Sequence, residues 1–304
     1  MPVYNNAHYL PEAIQSIRNQ TYPDFEFIIV DDCSTDETPA ILSHFAQKDD
    51  RIFILRNNRN LGRAGARNQL LKAKPSGEFI AIMDSDDISL PERFEKQISF
   101  LDAHSEVVAV GAQVRNVDEQ NSPTPEQTHL PETHGRLVWT MLYIVPLCNP
   151  VVMMRANAVW QLDGYQEGSA VEDAEFWSRL VYTGRFANLP EILLHYRMPS
   201  ERLVLRMTDW AIPLLKVTHS FVENLIDKPI ETKMCKHLYH SMFYNPDYHL
   251  TSEETLHTIF LLQDVFEAMQ TKGLLQGDDI PEVIELMLNQ FRTLLSYTSD
   301  SVNY

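Results

Sequence analysis

Glycine is scarce in this chain, with ten residues in 304, and none falls in a G-x-G-x-x-G or G-x-x-x-x-G-K-[ST] pattern. The ordinary dinucleotide fingerprint and the P-loop both need glycine where backbone approaches phosphate, so both are excluded at motif level. Cysteine is rarer still. Cys33, Cys148 and Cys235 form an odd, scattered set without C-x-x-C, the usage of reduced thiols in a cytoplasmic protein rather than of a disulfide framework. No stretch approaches the roughly 18 consecutive apolar residues of a membrane span, so no transmembrane anchor is expected. The opening MPVYNNAHYL has no basic segment followed by an apolar one, and no secretory signal is visible. Positive charge is also short: 25 Lys and Arg stand against 42 Asp and Glu, a net charge of −17. Such a balance excludes nucleic-acid binding, which rests on neutralising phosphates, and opposes electrostatic adhesion to an anionic membrane. A phosphorylated ligand would need its charge met locally, by a divalent cation or a few placed arginines.

What is present is an alternation of amphipathic segments and short apolar runs over residues 1–115, the pattern of an α/β sheet. Leu10, Ile14 and Ile17 share one helix face, and Phe25 to Val30 reads as a strand running into Asp31-Asp32. Ser34 and Glu37 read as a capping box before a helix with Ile41, Leu42 and Phe45. Residues 52–55 form a second strand, 63–73 a helix, and Phe79 to Met83 a third strand ending in Asp84-Ser85-Asp86-Asp87. Pro91 opens a helix, and Val107 to Val114 is a fourth strand. The polar stretch 116–135 reads as a loop or flap. Pro150 to Arg155 and Ile192 to Arg197 are strand-like around a helix at 173–183. Four helical periods follow, near 203–226, 231–244, 252–271 and 280–297, so the expected domains are 1–202 and an α-helical region 203–304.

In open α/β sheets ligands sit outside the C-terminal strand ends, and two carboxylate clusters fall there: Asp31-Asp32 and Asp84, Asp86 and Asp87. Clustered carboxylates repel one another, and hard oxygen donors at this density suit Mg²⁺ or Mn²⁺. Helix capping by Asp32 or Asp87 is the plainer alternative, but one cap accounts for one aspartate. Cys235, His237 and His240 have a superficially metal-like spacing on one helix, without a second ligand pair to make a zinc site.

Pro2-Val3-Tyr4-Asn5, Ile29 to Asp36, Asn60-Leu61-Gly62-Arg63 to Asn68, Met83 to Asp87 and Val171-Glu172-Asp173 resemble, in order and spacing, the inverting family 2 glycosyltransferases of GT-A fold. The resemblance covers roughly residues 1–200. It implies a Rossmann-like, mostly parallel mixed sheet flanked by helices, with the helical region as an appendage. It further implies a nucleotide-sugar donor, UDP-linked, and a saccharide or lipid-linked acceptor in surface polysaccharide biosynthesis. On this resemblance Pro2 and Tyr4 lie at the nucleobase and Asp32 accepts the N3–H of uracil, with Asp31 beside it. Arg63 and Arg67 approach the base or diphosphate, Asp84 contacts the ribose, and Asp86 is the main metal ligand with Asp87 assisting. Asp173 is implied as catalytic base, Glu172 as the neighbour that shapes the site, and His195 and Arg197 as a basic pair near the diphosphate.

One departure stands out. In the family the motif at Pro2 follows an apolar run forming the first, central strand, whereas only Met1 stands here. A truncated first strand is therefore expected, which would strip ladder partners from its neighbours. Two rivals remain at this level. A non-catalytic nucleotide- or glycan-binding remnant would fit a missing strand. A phosphohydrolase of the haloacid-dehalogenase type also places D-x-D at a strand end, but Ile88 and the preceding Asp31-Asp32 argue against it. The apolar periodicity of the last hundred or so residues suits a homodimer interface or peripheral docking at the inner membrane face.

Overall fold

A computed structural model describes residues 1–125, 127, 129–198, 211–243 and 245–298. In chain order the elements are β1 (Pro2–Val3), α1 (Leu10–Arg18), β2 (Phe27–Asp31), α2 (Thr38–Ala46), β3 (Ile52–Arg56), α3 (Gly62–Lys72), β4 (Phe79–Ala81) and β5 (Ile88–Ser89). They continue as α4 (Arg93–Ala103), β6 (Val107–Val117), α5 (His134–Thr140), β7 (Met153–Arg155), α6 (Ala156–Val159), α7 (Glu172–Leu180) and β8 (Arg185–Arg197). The last four are α8 (Ala211–Ile226), α9 (Thr232–Met242), α10 (Ser252–Thr271) and α11 (Asp279–Ser296). Two compact units result, Met1–Glu132 with Leu147–Asp209, and Thr133–Pro146 with Trp210–Tyr304.

The first unit is the α/β part. Its strands form a parallel sheet in the order β1-β2-β3 and a mixed sheet in the order β4-β7-β6-β8-β5. The run Phe27 to Val30 is apolar and β-rich because β2 lies buried between parallel neighbours. The longest ladder joins β6 to β8 in parallel, and there a Cβ at Gly111 would come within 2.0 Å of Asn188 Oδ1, so only glycine fits. Leu10, Ile14 and Ile17 of α1 pack with Ile29, Leu101, Val110 and Leu194 in one core. The short β1 makes a ladder with β2 alone among the described residues, Pro2 opposite Val30, while β4 pairs with β7. The Met1 α-amino group donates to Ile28 O at 2.8 Å, and burial pushes that group down to about 5.

Several local expectations change. Ser34 does not cap α2: its hydroxyl accepts from Asn5 N at 3.0 Å, and the helix begins at Thr38 behind Glu37 without a side-chain cap. The strand-like stretch at 150–155 is a 3₁₀ turn at Asn149–Val151 followed by the three-residue β7. Residues 203–210 of the first tail helix lie outside the described residues. Residues 133–146 belong with the helical unit because α5 is built into it: Trp139 Nε1 donates to Gln290 Oε1 at 2.8 Å, and His134 Nε2 meets Leu274 O at 2.9 Å.

In that second unit Gln290 also donates to Ser241 Oγ at 3.0 Å, linking α5, α11 and α9 through buried polar groups. A capping box at Thr251 and Glu254 starts α10. Cys235, His237 and His240 are absorbed by packing: burial pushes the Cys235 thiol up to about 12, His237 bonds Thr258, and His240 lies over Tyr248. No helix of the described residues is long and apolar enough to cross a membrane.

Candidate active site

The polar residues after β1, β2 and β4 converge. Asn5, at φ 46°, presents its amide to Ser34 and accepts from Thr35 N at 2.8 Å. Asn6 Nδ2 donates to Ser85 Oγ at 2.8 Å, tying the loop after β1 to the Asp84–Asp87 loop. Tyr4 is half exposed beside this junction, at 49%. Asp31 is buried, accepts from Ser34 N at 2.9 Å, and meets Arg56 Nε at 3.4 Å. Asp32 reaches the start of α3: Asn57 Nδ2 donates to Oδ1 at 2.7 Å, and the amides of Leu61 and Gly62 donate at 2.9–3.0 Å. A carboxylate against the positive end of a helix is favoured twice, by hydrogen bonds and by the helix dipole. Any base N–H offered to Asp32 competes with those donors.

The Asp84–Asp87 loop lies between β4 and β5. Asp87 is 1% exposed, its Oδ1 accepts from Arg197 N at 2.8 Å, and its Oδ2 has no hydrogen-bond partner. Burial, followed by the charges of Asp86 and Asp84, pushes its carboxyl well above the usual range. Arg197 does not present its guanidinium as a surface cation. It donates to the carbonyls of Asp86 at 2.7 Å and of Asp118 and Glu119 at 3.1 Å, meets Glu12 Oε2 at 3.2 Å, and stacks 4.4 Å from the Tyr9 ring centroid. His195, two residues earlier on β8, pairs opposite Ile88 and is lowered by burial and by Arg115. Beneath the loop, the fully buried Arg93 donates to Ile82 O at 2.8 Å and to Gln97 Oε1 at 3.0 Å, and burial lowers it to about 9.

A second cluster joins α3 to α7. Arg67, buried, donates to Asp84 Oδ1 at 3.0 Å and to Glu172 Oε1. Arg63 reaches Glu172 Oε2 at 3.2 Å and Ala170 O at 2.8 Å. Burial raises the Glu172 carboxyl against the opposing pull of Arg67 and Arg63. Burial alone would lower Arg67, but Asp84, Tyr165, Glu172 and Asp173 together hold it above its ordinary value. Asp173, next along α7, turns Oδ1 onto the Ala174 amide at 2.8 Å. Trp177 is fully buried against Phe176 and Phe186, a core residue rather than a floor for a ligand.

Thus Asp84, Arg67, Glu172 and Arg63 form one connected group, and Asp86, Asp87 and Arg197 another joined to it through the loop. Pro2 and Tyr4 border them on β1 and its loop, and His195 sits with Arg197 on β8. Arg93, Gln97 and Tyr165 were not singled out from the sequence. Arg93 and Gln97 had a signal: two polar residues four apart on the α4 face that also carries Phe94 and Leu101. For a cation the available set is hard carboxylate oxygen at Asp84, Asp86 and Asp87, including the unpartnered Oδ2 of Asp87. Among the described residues no three His, Cys, Asp or Glu side chains close into an all-protein cage. That donor set fits an ion of the Mg²⁺ or Mn²⁺ kind, which takes one or two carboxylates and completes its shell with phosphate oxygens.

Comparison with known proteins identifies a family and a fold. The profile described as Glycosyl transferase family 2 matches residues 1–163. An uncharacterized glycosyltransferase of Haemophilus influenzae is 34% identical over 204 residues, 64% of this chain and 63% of that protein. The O-antigen biosynthesis glycosyltransferase WbnJ of Escherichia coli is 30% identical over 204 residues, 65% of this chain and 78% of the relative. Among solved structures, S. aureus TarS 1-349 in complex with UDP-GlcNAc superposes with a TM-score of 0.60 at 20% identity, covering 96% of this chain and 88% of that one. At that identity the likeness bears on the fold, a mixed sheet of GT-A type with helices on its faces and a C-terminal helical region.

Proposed function

The chain belongs to glycosyl transferase family 2, and from that premise we propose that it moves a sugar, with inversion, from a UDP-linked donor to a saccharide or lipid-linked saccharide. The acceptor class is supported by the E. coli relative, which is named for O-antigen biosynthesis. The observation that carries the reading is the carboxylate loop at the end of β4, where three aspartates share one turn and the buried Oδ2 of Asp87 has no hydrogen-bond donor. A divalent cation held by Asp86 with Asp87 would supply charge neutralisation for a diphosphate leaving group. Tyr4, Pro2, Asp32 and Arg63 line the nucleoside side in this reading, and Asp84 meets the ribose while sharing Arg67 with Glu172.

In the reaction the acceptor oxygen attacks the anomeric carbon and its proton passes to the Asp173 carboxylate. The bond from that carbon to the phosphate oxygen breaks, and its electron pair leaves with the diphosphate. An alcohol is too weak an acid to ionise beforehand, so proton transfer accompanies bond formation, the task of a positioned general base. The α7 first turn gives Asp173 its backbone position; its Oδ1 accepts from the Ala174 amide at 2.8 Å, and Oδ2 is the oxygen that would take the acceptor proton.

The test is turnover of UDP-sugars by the wild type and Asp173→Asn, read as UDP release with and without added saccharide acceptors. Loss of release with UDP binding intact supports the reading. Unchanged release removes Asp173 from the chemistry, and UDP binding without turnover of any donor favours a non-catalytic binding protein.

A further inference from the structure

The cluster between α3 and α7 places two ionisable side chains, Arg67 and Glu172, almost out of reach of water. The Arg67 and Glu172 side chains retain only 5% and 2% of their exposure. A buried ion pair is weak evidence of stability, because desolvation offsets much of the Coulomb attraction and an apolar pair of similar volume often serves as well. Geometry is what the pair supplies. From α3 the Arg67 guanidinium reaches Asp84 on the β4 loop with one nitrogen and Glu172 on α7 with another. Arg63, one turn earlier, donates to the carbonyl of Ala170 and stands 3.2 Å from the other Glu172 oxygen, which takes no hydrogen bond. The connection into α7 is gripped from the same helix: Asn68 both donates to Tyr165 O at 2.9 Å and accepts from Tyr165 N at 2.8 Å. It passes Gly164 at φ +81°, where a Cβ would stand 2.6 Å from Asn68 Oδ1. The first turn of α7 itself has no side-chain cap at Val171. These lateral contacts therefore add to the packing of Ala174, Phe176 and Trp177 in placing it.

We propose that Arg67 and Glu172, braced by Arg63, are positioning residues: a charged latch that fixes the first turn of α7, and with it Asp173, relative to Asp84 on the β4 loop. This rests on the transferase reading for its consequence in turnover, although the latch is also readable without activity. Asp84 is common to both ends, since the Arg67 nitrogen it accepts from belongs to the guanidinium that holds Glu172. A donor that engages Asp84 would meet α7 already in place.

The experiment compares the full chain with Glu172→Gln and Glu172→Asp by hydrogen–deuterium exchange, UDP–Mn²⁺ thermal shift and steady-state UDP release from UDP-GlcNAc, UDP-glucose and UDP-galactose. Glu172→Gln keeps size and one acceptor oxygen but removes the charge on which Arg67 and Arg63 converge and turns the other oxygen into an NH2 donor. Faster exchange in Ala174 to Trp177 is expected, with β2 and α4 unchanged. The kcat should fall on the order of 100-fold, the scale of an ångström-sized misplacement, while donor KM stays within a few-fold. Glu172→Asp, which keeps the charge on a shorter arm, should recover part of both losses. Unchanged exchange in α7 overturns the latch whatever the activity. Loss of the UDP–Mn²⁺ shift in Glu172→Gln also overturns it, since Glu172 would then belong to the donor pocket. A lower melting temperature with kcat intact reduces the pair to a brace. A wild type that releases no UDP from any donor sinks the transferase reading instead, and exchange still decides the latch.

Discussion

Two acidic groups within one unit solve the same electrostatic problem differently. Between α3 and α7, Glu172 and Asp84 have arginine partners in Arg67 and Arg63, so each carboxylate faces a cation of the protein, although the buried Glu172 Oε2 takes no hydrogen bond. At the Asp84–Asp87 turn, Arg197 spends its guanidinium on backbone carbonyls and on Glu12, and Asp87 keeps a buried oxygen without a donor. A self-compensated cluster holds geometry. A turn of three aspartates with a buried oxygen lacking a donor would favour a divalent cation, whose charge would offset the carboxylates and a ligand's phosphates.

The comparison yields graded tests. Removing the proposed base lies at the top: Asp173→Asn should lower UDP-sugar turnover on the order of 10³-fold while UDP–Mn²⁺ binding is retained, because the loss of a general base falls on the chemical step. Next is Asp86→Ala, in which the added thermal shift from Mn²⁺ over UDP alone should vanish, as calorimetry with UDP would show directly. Smaller is the pH dependence of the turn. The Asp87 carboxyl is raised in the folded state above its unfolded value, so its contribution is favourable at low pH. It is lost as pH rises from the unfolded carboxylate range through the raised folded value. Denaturant titrations in EDTA should show stability declining across that window, flattened in Asp87→Asn and by added Mn²⁺; an unaltered profile in the variant contradicts the uncompensated charge. Smallest is a control outside both clusters. Thr251→Ala removes the α10 capping box and should cost about 1 kcal/mol without touching the UDP–Mn²⁺ shift.

Much of the first unit was legible because its signals are local. Apolar runs at Phe27 to Val30 and Phe79 to Met83 end in carboxylates, and β2 and β4 stand there, though β4 is three residues long. The helical periods of the tail follow the observed α8 to α11 closely where residues are described. What escaped was decided by partners distant in sequence. The spacing of Ser34 and Glu37 fits a capping box, but Asn5 claims the Ser34 hydroxyl across 29 residues. The resemblance implies Arg197 as part of a basic pair near the diphosphate, and only the fold brings the carbonyls of Asp86, Asp118 and Glu119 around its guanidinium. The polar stretch 116–135 reads as a loop or flap, yet α5 begins within it at His134, because the partners that order it, such as Gln290 accepting from Trp139, lie some 150 positions away.

The most direct measurement is a thermal-shift matrix of the wild type and Asp86→Ala with UDP, with Mn²⁺, and with both, since ligands that bind the native state raise its apparent stability. The account predicts a shift with UDP and Mn²⁺ together that exceeds the sum of the separate shifts in the wild type and collapses in the variant. Equal shifts in the two proteins, or none with any combination, would contradict a cation–nucleotide site at the end of β4.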